Sequence, residues 1–392
     1  IWKRTVASQM SDARGQTASV RLGATASDGR DAELSASGTV ITHREIEIPS
    51  GRRMNGIEAA LRAPGGWLPL AFLAIMGLAM LAYVILDGYD LGVGMLLRAA
   101  SDSDKDTMVA SIGPFWDANE TWLVLGIGIL LIAFPKAHGV VMTALYLPIA
   151  LMLVGLILRG VAFDFRVKAR DEHRKLWNRS FFAGSMMASL AQGWMLGRYI
   201  TGFAEGWTFT VFAAAIALCL PAAYTLLGAC WLLMKTEGDL QRRAQAWGQQ
   251  AWGPVALGLL LISLATPWVS RTVFERWFAF PQLIALSAIP LMSAICLVGT
   301  LAVLRSRQVL DSLCWLPFAL IVTVFTLGGI GLAYSLYPYV VIDRLTIWQS
   351  ASATESLVVI LIGCAITVPA IALYTLYAYR VFWGKARPLD YA

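Results

Sequence analysis

Charge is what this chain has least of: Asp, Glu, Lys and Arg together make up 14% of its 392 residues, and histidine occurs three times. With 58% apolar residues and a mean hydropathy of +0.64, that shortage excludes an ordinary water-soluble domain. Cys219, Cys230, Cys296, Cys314 and Cys364 lie scattered in apolar runs without CxxC spacing, which excludes a small disulfide-stapled secreted scaffold and suits packing or lipid-facing roles. Collagen, coiled coil and disorder fail on the same composition. A formal net charge of +6 would suggest nucleic acid only if the basic residues formed a stripe on a soluble face. They sit between apolar segments instead and read as topology signals. What remains is an all-α, polytopic membrane protein.

Apolar stretches near the roughly 20-residue length that crosses a bilayer start near Trp67, Phe115, Gly139, Ser180, Trp207, Gly253, Phe280, Cys314 and Ser356. This predicts nine transmembrane helices. A β-barrel would need alternating strands of about ten residues, which are absent. Lys and Arg crowd the loops after the first, third, fifth and seventh spans and the C-terminus, the Arg166 to Arg179 stretch above all. The opposite loops hold only Lys136, Arg198, Arg271, Arg276 and Arg344. By the positive-inside rule the first span's N-terminal end lies outside, and the tail RVFWGKARPLDYA is cytoplasmic.

Residues 1–53 do not fit that scheme. They hold eight Lys or Arg and six Asp or Glu, and neither a periodic apolar pattern nor the apolar core of a secretory signal. The expectation is a disordered or non-native N-terminal extension, a genuine external tail being the other reading, with the nine-helix membrane domain occupying residues 54–392. A search for an internal duplication, YVILDGYDLGVGMLLR against YTLLGACWLLMKTEGD, finds only a Tyr and a few apolar matches, no more than membrane composition supplies.

The chemistry concentrates in the first three spans. Asp87 and Asp90, three apart, fall on one helical face, where a carboxylate below the headgroups needs a partner or a proton. The plain alternative is that DGYDLG marks where the helix reaches water, its glycines allowing a bend. The second apolar run, Trp122 to Phe134, is short. Extending it to Phe115 draws Trp116, Asp117, Asn119 and Glu120 to the membrane boundary. Asp117 or Asn119 could simply cap the helix, although PFWDANETW carries more polar groups than one cap uses. In LRGVAFDFR, Arg159 and Asp164 approach the same side, and Asp164 also reaches Lys168 at i,i+4 spacing. An arginine among carboxylates at one membrane side is what proton uptake requires. The expected path links Asp117 to Asp90, with Arg159 steadying it and waters completing it. His43, His138 and His173 fall in the N-terminal segment and two loops, so the spans offer no axial ligands for several haems, and no zinc or copper set appears.

DGYDLGVGML, PFWDANETWLV, LRGVAFDFR, SLYPYVVIDRLTIWQSASATESL and the terminal YRVFWGK resemble subunit II of cytochrome bd-type quinol oxidases, including the cyanide-insensitive branch, over about Gly65 to Lys385. Tyr89 stands where Phe is usual and Ala118 where Gly is usual. The resemblance implies two four-helix bundles plus a peripheral helix in the bacterial cytoplasmic (inner) membrane. It implies a heterodimer with subunit I, which carries haem b and haem d, oxidises quinol and reduces oxygen to water. The present chain would then be a haem-free scaffold, not catalytic alone, that supports proton uptake from the cytoplasm. Membrane lipid and quinol are further partners, a small accessory subunit and one bound quinone are left open, and nucleic acid is not among the partners. Carried onto this sequence, the proton-pathway residues are Asp87, Asp90, Asp117, Glu120, Arg159 and Asp164, with Trp116 and Asn119 as structural support. Two other readings compete: a proton- or cation-coupled secondary transporter, which lacks a convincing inverted repeat, and a purely structural subunit.

Overall fold

The computed structural model describes residues 59, 61, 63 and 65–386. The expectation for residues 1–53 lies outside them, and the architecture below is that of the unit Met54–Ala392. Its long helices are α1 (Leu68–Leu96), α3 (Trp116–Ala133), α4 (Pro135–Lys168), α5 (Asp171–Ile200), α6 (Trp207–Lys235), α7 (Gly238–Val269), α9 (Gln282–Arg305), α10 (Leu316–Leu336) and α12 (Thr354–Val381). Short helices α2 (Asp102–Ile112), α8 (Arg271–Trp277) and α11 (Ile347–Ser350) and an antiparallel pair, β1 (Tyr339–Val341) and β2 (Leu345–Thr346), join them. Among the described residues, eight of these helices are long and apolar enough to cross a membrane. The helix α5 is long enough but carries Arg174, Lys175, Arg179, Gln192 and Arg198, and its apolarity falls short.

Several expected loops are helix. The stretch from Arg166 to Arg179 is almost entirely the end of α4 and the start of α5, interrupted at Ala169 and Arg170. His138 and His173, expected in loops, stand on the first turns of α4 and α5. Backbone amides that cannot find water inside lipid favour continuing a helix past the apolar boundary, so polar first turns give boundaries displaced by many residues. The break between α3 and α4 falls at Phe134, because Pro135 cannot donate to α3 but starts a new helix without loss.

Helix α1 is the hub, packing against α3, α5, α6, α10 and α12. From Asp87 to Leu97 every residue is buried. Its glycines are there for closeness rather than for the expected bend, since the helix runs unbroken through Gly88. A Cβ on Gly92 would lie 1.9 Å from the Tyr224 carbonyl oxygen, and one on Gly228 would lie 2.5 Å from the Gly92 carbonyl carbon. Helices α1 and α6 therefore cross backbone to backbone, the small-residue mode of membrane helices. Gly155 and Gly184 do the same for α4 and α5. At the other end of the unit, the β1–β2 hairpin is pinned by Tyr199, whose hydroxyl donates to the Val340 carbonyl. A capping box between Thr346 and Gln349 starts α11.

Candidate functional site

Three crossings converge on the polar half of α1. The α4–α5 crossing sets Arg159 deep in the unit, its backbone nitrogen 2.8 Å from where a Cβ on Gly184 would sit. Arg159 is 1% exposed, and its guanidinium donates through Nη1 to Asp87 and through Nη2 to Glu120. Asp87 is fully buried, whereas the Glu120 side chain keeps 28% of its surface open. The Trp116 ring lies 5.9 Å from the guanidinium carbon and packs on Phe163, closing that side.

Asp90 is held differently. One of its oxygens accepts from Asn119 Nδ2 at 2.8 Å, and the same amide donates to the Tyr89 hydroxyl at 2.8 Å. Tyr89 and Tyr379 share a hydrogen bond of 2.5 Å, and the Tyr379 hydroxyl reaches Asn119 Oδ1 at 3.3 Å. Two carboxylates on one face of α1 thus have separate partners, a guanidinium for one and an amide–phenol cluster for the other. Asp87 Oδ2, Asp90 Oδ1 and Arg159 Nε are buried without a hydrogen bond in the structure. A second polar chain lies further along the helices, where Gln192 Nε2 donates to Tyr83 at 2.8 Å and Tyr224 donates to Gln192 Oε1 at 2.6 Å.

Of the residues singled out from the sequence, Asp87, Asp90, Asn119, Glu120, Arg159 and Trp116 come together here. Asp117 and Asp164 are exposed and stand outside the network. The expected link from Asp117 to Asp90 is not made; Asn119, two residues on and turned inward, takes the place beside Asp90. Nor does the helix end use Asn119 as a cap, since α3 starts from Phe115 with no side-chain cap. The reading of DGYDLG as a point of exit into water is corrected by the complete burial of Asp87 and Asp90. The crevice beside them, lined by Asp90, Trp116, Arg159 and Phe163, is narrow.

Sequence reasoning missed Tyr89 and Tyr379 as members of the cluster. Tyr89 departs from the usual Phe, a visible signal, but Tyr379 looks no different in sequence from Tyr374 and Tyr377, which are exposed. Around them Trp231 stacks on Tyr89 at 4.1 Å and Phe115 stacks on Tyr379 at 4.5 Å. Lys235 sits over Phe115 and Trp231 and donates to the Phe382 carbonyl at 2.9 Å, tying the end of α12 to α6.

Long apolar helices around a buried arginine and three carboxylates define a multi-pass membrane protein with an ionisable cluster inside it. Residues 68–382 match the family model described as cytochrome bd terminal oxidase subunit II, and the chain belongs to that family. It is 26% identical over 365 residues to cytochrome bd-I ubiquinol oxidase subunit 2 of Escherichia coli (strain K12), covering 81% of this chain and 94% of that protein. It is 27% identical over 334 residues to cytochrome bd ubiquinol oxidase subunit 2 of Bacillus subtilis (strain 168), covering 79% and 94%. The fold is that of a chain in the structure of bd oxidase from Geobacillus thermodenitrificans, with a TM-score of 0.66 at 18% identity over 81% of this chain and 99% of that one. A separate, short similarity, 67% over 42 residues, is to DNA topoisomerase 1 of Streptomyces coelicolor and covers 11% of this chain and 4% of that protein. Nothing in these comparisons favours the transporter alternative.

Proposed function

We propose that this chain works as the non-haem subunit of a membrane quinol:oxygen oxidoreductase and carries protons from the cytoplasmic side towards a haem-bearing partner, subunit I. The single observation behind the proton role is the charge arithmetic of the buried cluster. Asp87, Asp90 and Glu120 face one guanidinium, so they cannot all stay ionised without leaving uncompensated charge inside the membrane. Such a cluster holds and releases protons.

Glu120, partly open, is the entry residue. Asp87 and Arg159 form the fixed pair that keeps the site electrostatically anchored, and Asp90 with Asn119, Tyr89 and Tyr379 relays the proton. Because the crevice is tight, transfer follows hydrogen bonds between side chains or waits for one of them to turn. Asp117 and Asp164, exposed on α3 and α4, serve outside the buried cluster by drawing protons to its mouth. Quinol oxidation releases protons outside and oxygen reduction takes them from inside, and each charge moved across 100 mV is worth about 2.3 kcal/mol. A path open to one side only is therefore worth keeping.

The helix α5 is read as the ninth span, its charged first turns lying at the cytoplasmic surface, with α1 entering from outside and α12 ending inside. The haems that reduce oxygen are ascribed to subunit I. Tagging the chain, extracting it in detergent and recording an optical spectrum with subunit identification tests the assignment: haem absorbance with a second large subunit supports it, and a haem-free stable monomer refutes it. Asp90→Asn in that complex tests the path, with turnover and proton uptake both expected to fall by at least tenfold. Unchanged values of both would leave the acids as packing groups.

A further inference from the structure

The network above leaves unused a cavity of about 580 Å3 at the end of the unit where α1 stops. Arg98 follows the last turn of α1, Lys105 comes from α2, and Lys175, Asn178, Arg179 and Phe182 recur along one face of α5 at helical spacing. The lining has a single carboxylate, Asp102, and it is engaged: Lys105 Nζ donates to it at 2.7 Å. Among the described residues Arg98, Lys175 and Arg179 form no close ion pair with a carboxylate, although Lys175 lies within the field of Asp102. Three cations around one cavity repel one another, and an anion between them removes that repulsion.

The floor of the cavity is apolar. Leu97 is buried, and Phe182 lies 5.5 Å below the Arg98 guanidinium. Lys175 to Phe182 spans about 10 Å at 1.5 Å per residue, enough to cross the headgroup layer of roughly 5–8 Å on each side and reach the hydrocarbon. Leu176, next to Lys175 and outside the lining, is 56% exposed, as a residue at the edge of the hydrocarbon is. Free phosphate would use the cations and leave that floor without an occupant. A lipid uses both.

We propose that this cavity binds the headgroup of an anionic phospholipid, with Arg98, Lys175 and Arg179 on the phosphate and Leu97 and Phe182 beneath the glycerol and first acyl carbons. The site stands apart from the oxidase reading, and an optical spectrum of the same preparation reports on that reading separately.

The test uses the detergent-extracted chain with whatever partner subunit it retains, stripped of lipid and titrated in mixed micelles with phosphatidylglycerol, phosphatidylcholine or inorganic phosphate. Melting temperature and native mass spectrometry give the readouts. Phosphatidylglycerol is expected to raise the melting temperature and to be retained; the other two are not. Replacing two of the cations, Arg98→Gln with Arg179→Gln, weakens phosphatidylglycerol binding about twenty-five-fold, the product of a roughly five-fold loss for each basic residue near an anionic surface. Arg98→Lys with Arg179→Lys keeps most of the affinity. Equal affinity in the Gln variant, or stabilisation by inorganic phosphate as large as that by the lipid, overturns the proposal.

Discussion

Replacing Arg159 by Met removes the cation of the buried cluster and leaves Asp87 as a carboxylate with no cation beside it, its side chain 1% exposed. Deleting one member of a buried pair costs about 3–5 kcal/mol, because the survivor keeps its desolvation penalty and loses its attraction. Glu120 contributes little of this, since 28% of its side chain is open and water can replace the guanidinium. At about 2 °C per kcal/mol for a large domain, Arg159→Met should lower Tm by roughly 6–10 °C. The assay is a fluorescence-detected melt of the detergent-purified protein. Adding Asp87→Asn removes the stranded charge, so the double variant should recover at least half of the loss. The two residues touch, and a coupling of this size is what contact predicts. If the double variant melts at the temperature given by adding the two single losses, Arg159 and Asp87 are not an interacting pair and the account of the cluster fails.

Tyr379→Phe deletes a hydroxyl that bonds both Tyr89 and Asn119; the same melt should show a loss of about 0.5–1.5 kcal/mol, with proton uptake slowed if the phenol pair relays. At the α1–α6 crossing, Gly92→Ala places a Cβ 1.9 Å from a carbonyl oxygen and should destabilise by at least about 1–3 kcal/mol. Gly77→Ala meets nothing within 4 Å and should be neutral or favourable, which makes it the control in parallel expression and melting trials. In α2 the hydrogen bond from Lys105 holds the Asp102 carboxyl below its usual 3.8. That pair therefore supports the first turn above about pH 4 and is lost as pH falls below it. Lys105→Met should melt slightly below wild type at pH 7, and the difference should shrink as pH falls below about 4.

Much of the site was legible because membrane burial makes every ionisable residue conspicuous. Asp87, Asp90, Glu120 and Arg159 stand out of apolar runs, and the three-residue spacing of the aspartates already puts them on one face. Asn119 against Asp117 was not legible. Both lie in the first turns of α3, and which one faces α1 depends on the helix's rotation, set by the Gly126 contact with Met80 and the packing of Trp122 rather than by local pattern. Tyr379 was hidden for a different reason: it lies 260 residues from Asn119, and no local spacing relates them. The helix boundaries were misjudged where charged turns continue a helix beyond the apolar run, as in α5.

By itself the sequence determined the solvent and the class. Its apolar runs demand helices, because only a helix satisfies its own backbone within lipid; its Lys and Arg placement biases the orientation; and its acids and arginine name the residues that must find partners. Only the tertiary structure decided who those partners are. Glycine crossings at Gly92, Gly228, Gly155 and Gly184 fix how closely and at what rotation the helices meet. A rotation of one residue, about 100° around a helix, exchanges a buried carboxylate for an exposed one. Pairing inside the membrane is thus a property of packing between distant segments, which no single segment carries.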